Sequence, residues 1–243
     1  MEFTYEGYSG LLKKINQYGY TVASYDNCDL EKKCVILRHD IDYDITKTVG
    51  IGKIEKEMGV KSTFFLLISS DFYNVFSTSG ANIIDRIQDY GHDIGLHFDE
   101  QRYQDDFGCT DRIREHILEE ARVLEKAVGN PVTKVSMHRP SKEIIESNLT
   151  IPGMINTYSS KFVNDFKYVS DSRRRWREPV EEYIINETYN KIQILTHPFW
   201  YNKEEESIEE TIAGFIKNAK YRCYDMLDSN FTGLEDVIKR RDA

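Results

Sequence analysis

Short apolar runs alternate with helix-period stretches along most of this chain, and that alternation restricts it to an α/β architecture with a mainly parallel sheet. The first run is Cys34-Val35-Ile36-Leu37. Residues 45 to 58 follow with Ile45, Val49, Ile54 and Met58 at helical spacing, Gly59 supplies a stop, and Thr63 to Ile68 forms the next apolar run. This is a β-α-β unit. A helix over 81–90, with Ile83, Ile84 and Ile87 on one face, leads into the strand-like Asp93-Ile94-Gly95-Leu96-His97. The longest helix is expected over 111–128, capped by Thr110, with Ile113, Ile117, Ala121, Leu124 and Val128 as its buried stripe and Gly129-Asn130-Pro131 as its end. Further strands are expected at 134–138, 154–158, 166–170 and 191–196, and a helix at 206–222.

About seven strands in a chain of 243 residues favour a distorted (β/α) barrel of mainly parallel strands. An open doubly wound sheet is the alternative, and it is disfavoured because no glycine-rich phosphate loop follows the first strand. One domain over residues 1–243 is expected, with a motif-bearing core at about 34–200 and C-terminal helices at about 206–240. The 40% hydrophobic content is enough for a sizeable core. No apolar run approaches the roughly 18 residues of a membrane span, and the stretch Met1 to Glu6 lacks the regions of a signal peptide, so a cytoplasmic protein is expected. Cys28, Cys34, Cys109 and Cys223 form no C-x-x-C pair and read as free thiols. A net charge of -9 argues against nucleic acid as a partner, which would require a continuous basic surface.

Four of the six histidines, His39, His97, His138 and His197, stand at or just after the ends of expected strands. In a parallel barrel those ends share one face, so residues far apart in sequence converge on one pocket. His92 and His116 fall elsewhere and read as structural or solvated. In Arg38-His39-Asp40-Ile41-Asp42 the two carboxylates lie two residues apart, on the same side of an extended segment. Such a pair needs neutralising charge, and a metal on one with an arginine on the other supplies it. A pair of turn or capping aspartates is the bland alternative.

These segments, taken in order, resemble the motifs of the polysaccharide deacetylase superfamily, the NodB-homology carbohydrate esterases. Ile36 to Asp42 (ILRHDID) resembles the first motif in an RHDxD form, Gly91 to Phe98 (GHDIGLHF) the second and Ser136 to Ser141 (SMHRPS) the third. Asp171 to Trp176 (DSRRRW) loosely resembles the fourth, and Ile194 to Pro198 (ILTHP) the fifth. The resemblance implies a distorted barrel with a divalent metal, commonly zinc, that hydrolyses the N-acetyl group of an amino sugar. By position it implies Asp40 as catalytic base, Asp42 and His97 as metal ligands, Arg139 as the group orienting the base and His197 as general acid. It also implies Leu195 as lining for the acetyl methyl and Asp171 as the partner of His197. The second motif departs from the family pattern, because four residues beyond His97 stands Gln101 and not a second histidine. His138 is the first choice for the third ligand, with Asp99 and Glu100 as alternatives, since a catalytic zinc takes three protein ligands.

The expected substrate is an amino sugar, a nucleotide sugar or an oligosaccharide precursor of a surface polysaccharide. A silent glycan-binding module on the same barrel and another metal-dependent amidohydrolase are the competing readings. The basic run Arg173-Arg174-Arg175-Trp176-Arg177 reads in two ways. It is either a solvated loop, or Arg174 and Arg175 grip an anionic part of the substrate while Trp176 stacks on it. Trp176 also suits ordinary core packing.

Overall fold

The computed structural model describes residues 1–28 and 31–242. Its strands are β1 (Thr21–Ala23), β2 (Cys34–Ile41), β3 (Thr63–Leu66), β4 (Asp93–Asp99), β5 (Lys134–His138), β6 (Ile155–Asn156), β7 (Lys167–Ser170) and β8 (Lys191–Thr196), all paired in parallel. The sheet order is β6-β5-β4-β3-β2-β8-β7. β1 covers the first half of one edge of β2, where Thr21 to Ala23 pair with Cys34 to Ile36, and β3 covers the second half. Each strand from β3 to β6 thus lies beside its predecessor, while β8 returns to the other side of β2.

The Arg38 side chain reveals the curl. Its Nη1 donates to Thr157 Oγ1 just beyond β6 at 3.1 Å, although three strands separate β2 from β6 along the sheet. Only a sheet rolled on itself brings them together, and among the described residues no pairing joins β6 to β7. The result is the expected distorted barrel, open along one seam.

β2 is buried along its whole length, and its alternating side chains serve two different cores. On the inner face Ile36 packs with Tyr25, Cys34, Phe65, Phe162 and Phe166 in an apolar plug. Gly95 of β4 is required beside it, because a Cβ there would lie 2.5 Å from the Phe65 ring. Above the plug the inner face turns polar with Arg38, Asp40 and, just past the strand, Asp42.

The outer face is covered by helices that include α1 (Tyr5–Gln17) and α2 (Thr48–Glu57). α1 begins where Thr4 Oγ1 accepts the Gly7 N–H at 2.9 Å, and it buries Tyr8, Leu11, Leu12 and Ile15 at helical spacing. It and β1 lie ahead of the first element expected from the sequence. The remaining helices of the barrel unit are α3 (Thr78–Asp89), α4 (Thr110–Val128), α5 (Lys142–Glu146), α6 (Ser160–Asn164) and α7 (Val180–Ile185).

His39 faces this helical layer, away from the inner pocket. Its Nε2 lies 2.9 Å from Glu55 Oε1, and its Nδ1 lies 2.6 Å from Thr196 Oγ1 on β8. The convergence expected of four strand-end histidines therefore involves three, because the residue before Asp40 must point to the opposite face of the strand. Glu55 also accepts the Tyr8 hydroxyl at 2.6 Å and the Ser62 hydroxyl at 2.6 Å. Burial works to raise the Glu55 carboxyl, but His39, His92 and the Ser62 hydroxyl outweigh it and hold it below the usual range.

The chain divides into two compact units, Met1–Lys203 and Glu204–Ala243. Taken by itself, the second is built on α8 (Ile208–Asp228) and α9 (Leu234–Val237). α8 opens with a reciprocal capping box between Ser207 and Glu210. Arg240 and Asp225 form a bidentate pair at 2.6 and 2.8 Å. Among the described residues no helix is long and apolar enough to cross a membrane.

Removing Glu55 would strand His39, Tyr8 and Ser62 without their shared acceptor. Glu55→Ala is expected to destabilise the barrel unit by about 3–5 kcal/mol, as for other broken buried pairs, read as a lower urea midpoint at unchanged slope.

Candidate metal centre

Parallel strands place their C-terminal ends at one mouth of the barrel, and three donor atoms meet there. His97 Nε2 lies 3.2 Å from Asp42 Oδ1, His138 Nδ1 lies 3.4 Å from the same oxygen, and the two nitrogens are 3.1 Å apart. These three residues form the one cluster among the described residues whose ligand atoms lie close enough together to hold a metal ion. Asp42 Oδ1 is buried and makes no hydrogen bond of acceptable geometry.

The triangle fits a small divalent ion. Ligand atoms about 2.0–2.1 Å from a tetrahedral ion stand roughly 3.3 Å from one another, close to all three observed separations. The donor set of two imidazoles and one carboxylate suits zinc and its neighbours in the first transition row. His138 completes the triangle, and neither alternative does. Asp99 is taken by Arg139 at 2.6 Å, and Glu100 accepts the Ser141 N–H, the Ser141 hydroxyl and the Gly108 N–H.

Neighbouring side chains fix the orientation of two of the three donors. Ser136, the register partner of His97, donates its hydroxyl proton to Asp40 Oδ1 at 3.3 Å and lies 2.6 Å from His97 Nδ1. When the serine proton goes to Asp40, Nδ1 is left as the donor to Ser136, the tautomer whose Nε2 lone pair can face the triangle. Asp42 is positioned through its backbone. The Tyr73 hydroxyl donates to the Ile41 carbonyl and accepts the Leu67 N–H, each at 2.7 Å, while Ser70 Oγ donates to the Asp42 carbonyl at 3.4 Å.

Asp40 lies one layer deeper. Arg38 grips it with Nε on Oδ1 at 2.9 Å and Nη2 on Oδ2 at 2.7 Å. Burial alone would raise the Asp40 carboxyl, but Arg38, His97 and His197 outweigh it and keep it below the ordinary value. Burial likewise works against the charge of Asp42, and His138, His97 and His197 hold that carboxyl well below the usual range. The expectation that Arg139 orients the base is thereby corrected. Its backbone occupies the left-handed region at φ 50° and its side chain bonds Asp99, while Arg38, two residues before Asp40 on the same face of β2, makes the contact with that carboxylate.

His197 follows β8 and leans on Asp171, which follows β7. Its Nδ1 is 2.6 Å from Asp171 Oδ1, and its Nε2 points toward Asp42 Oδ2 at 3.8 Å. Asp171 is fully buried and also accepts the His197 backbone N–H at 3.0 and 3.1 Å and the Tyr201 hydroxyl at 3.1 Å. Burial opposes an imidazolium here, yet Asp171, Asp42 and Asp40 prevail and raise His197 to about 9. Leu195 is buried on β8 and shares by alternation the face of Gln193, which meets Tyr25 inside the barrel.

The arginine run follows Asp171, beyond β7. Arg173 and Arg174 occupy the left-handed region at φ 59° and 55°, and Arg174 lies over the Phe3 ring at 5.1 Å. The Arg175 N–H donates to the Asp171 carbonyl at 3.1 Å, which ties the loop to the partner of His197. The Trp176 indole nitrogen is buried without a hydrogen-bond partner. Arg38, Ser136 and Tyr73 were not singled out from the sequence. For the first two the signal was present, since Arg38 shares strand parity with Asp40, and Ser136 with His138.

Fold and site together define an α/β barrel with a candidate mononuclear metal centre at its C-terminal mouth. No family model matches the chain, and no curated protein matches it. The solved structures it resembles include members of carbohydrate esterase family 4, pseudoenzymes among them. A family 4 pseudoenzyme from Bacillus anthracis is 18% identical over 79% of this chain and 62% of that one, with a TM-score of 0.45. The chitin deacetylase of Colletotrichum lindemuthianum is 15% identical over 83% and 87%, with a TM-score of 0.46. The catalytic domain of a peptidoglycan N-acetylglucosamine deacetylase from Eubacterium rectale is 15% identical over 78% and 85%, also at 0.46. The chain spans less than two thirds of the length of the first of these.

Calorimetric titration with zinc or cobalt is expected to find one ion per chain. His138→Ala and Asp42→Ala should abolish uptake. Ser136→Ala, which frees the His97 ring, should weaken it about 10–100-fold.

Proposed function

We propose that this chain is a divergent, metal-dependent deacetylase of the NodB-homology type, removing an acetyl group from the nitrogen of an amino sugar. The observation that carries the reading is the Asp42-His97-His138 triangle, with a buried carboxylate beneath it and an aspartate-backed histidine beside it. Fold alone would not carry it, since barrels host many chemistries. Asp42, His97 and His138 would hold the divalent ion, whose chemistry when bound is to polarise the amide carbonyl and acidify water.

The chain's own residues divide the proton work. Asp40 accepts a proton from the attacking water, and Arg38 keeps the carboxylate ionised and aimed. Both Asp40 oxygens already accept hydrogen bonds, so this base is oriented strongly and its basicity is low. His197 donates a proton to the departing amine. Asp171 holds its ring and, through a value of about 9, keeps it charged at neutral pH. Leu195 lines the pocket for the acetyl methyl. Nucleotide-linked or oligosaccharide precursors of surface polysaccharides remain the proposed substrates, and zinc the proposed metal.

The test is acetate release from N-acetylated chito-oligosaccharides by the metal-loaded protein. Asp40→Asn and His197→Ala should each lower turnover by roughly 10²–10⁴ with metal content unchanged. A metal-loaded protein that binds these sugars without turnover would instead mark a glycan-binding module.

The acid also sets the pH profile. A proton donor is charged below its pKa and lost above it, so turnover should fall along a basic limb; the value of about 9 belongs to the metal-free site, and a cation held by Asp42 would place the limb lower. Asp171→Asn removes the strongest charge favouring the imidazolium and should move this basic limb down by about 1–3 units. An unmoved limb would exclude His197 as the donor.

A further inference from the structure

Beside the metal triangle lies a cleft of about 530 Å³, lined by Ile68, Ser69 and Ser70 after β3, by Asp99 at the end of β4 with Gln101 and Arg102 beyond it, and by Arg139 after β5. It adjoins the candidate centre at several points. Ser70 bonds the Asp42 carbonyl, Arg139 directly follows His138, and Asp99 lies two residues beyond His97. A substrate whose reacting group sits at the triangle can therefore extend into this space. The volume is within the range of small-ligand sites.

Two guanidiniums face it with most of their hydrogen-bonding capacity unused. Arg139 is 64% exposed and bonds Asp99 through Nη2 alone. Arg102 is 53% exposed and meets Glu120 through Nη1 alone, at 3.4 Å. Nε and Nη1 of Arg139, and Nε and Nη2 of Arg102, have no hydrogen-bond partner among the described residues. Of their acidic neighbours, Glu120 is buried at 4% exposure and lies outside the lining, while Asp99 lines the cleft at 9% exposure with Oδ2 held by Arg139 and Oδ1 by the Gln101 N–H. A surface ion pair contributes little to stability, so these contacts orient the arginines without consuming their forks. A planar guanidinium fork is matched to carboxylate and phosphate oxygens.

We propose that this cleft recognises an acidic group of the substrate, a carboxylate or phosphate close to the acylated sugar, with Arg102 and Arg139 as specificity-determining residues. The proposal builds on the deacetylase reading of the adjoining centre and narrows its substrates to acidic ones. It locates the anion contact here and not at Arg174 and Arg175, whose loop is tied back to Asp171 and Phe3.

The experiment uses the metal-loaded full chain and three probes: neutral N,N′-diacetylchitobiose, a disaccharide of N-acetylglucosamine and glucuronate, and UDP-N-acetylglucosamine. Acetate release gives kcat/KM, and calorimetry gives binding of the same probes whether or not turnover occurs. The wild type should prefer one acidic probe, and which one identifies carboxylate or phosphate as the source. Arg102→Gln and Arg139→Gln should each reduce the acidic-to-neutral ratio of kcat/KM by about 10–100-fold, carried by KM, as expected for one lost hydrogen-bonded charge contact. Arg102→Lys, which keeps the charge without the fork, should recover part of it. Turnover with the same ratio in wild type and both glutamine variants would overturn the cleft proposal and leave the deacetylase reading standing. Arginine-dependent binding of an acidic probe without turnover would do the reverse. A ratio lost only in an Arg174→Ala, Arg175→Ala double variant would also overturn it, moving the anion contact to the other loop.

Discussion

A guanidinium with no solvent exposure must have its charge balanced and its nitrogens bonded by the protein, and in Arg38 side chains that define the pocket balance the charge and bond each of the three nitrogens. Asp40 takes two of its hydrogen bonds, Thr157 takes a third across the barrel, and the Tyr158 ring lies 4.9 Å from its charge. Everything above it depends on this arrangement. With Asp40 neutralised from below, a second carboxylate two residues on can stand at the mouth and face two histidines without a second buried negative charge beneath it left unpaired. The sequence pattern of two aspartates therefore has two different electrostatic solutions, an arginine for the deeper one and a site fit for a cation for the outer one.

The same pair explains why the barrel interior changes character along its axis. At the bottom, aromatic and aliphatic side chains fill the space so tightly that Gly95 is needed beside Phe65. One layer up, Arg38, Asp40 and Ser136 form a connected polar network in which each member has a partner. That network passes its order upward. Ser136 Oγ bonds Asp40 and lies 2.6 Å from His97 Nδ1, so a buried ion pair and a candidate ligand are linked by one hydroxyl.

A second polar network sits directly behind the first, on the other face of β2. His39 joins Glu55 on α2 to Thr196 on β8, and Thr196 immediately precedes His197. Neighbouring residues of one strand thus serve opposite purposes, Asp40 in the pocket and His39 in the helical layer. A strand that holds polar side chains on both faces can be fully buried only because each face is satisfied separately.

The sequence by itself determined most of the architecture and part of the site. Apolar runs and helical periods are local properties, so β4, β5, β8 and α4 lie within two residues of their expected bounds, and Asp40, Asp42, His97, His138 and His197 fall at strand ends as the motifs require. α1 was legible too, in the spacing of Tyr8, Leu11, Leu12 and Ile15, but carried no motif to draw attention to it. Tertiary structure alone decided which polar groups meet. β2 runs on through Arg38, His39 and Asp40, where the sequence suggests an apolar strand already ended, because partners far along the chain satisfy each of them. Arg139 was expected at the base and lies instead against Asp99, since the conformation of a single backbone residue redirected it. The choice of His138 over Asp99 and Glu100 followed from which of the three was already engaged. Periodicity fixes the face of a strand on which a residue stands, but the partner waiting there is set by how distant strands curl together.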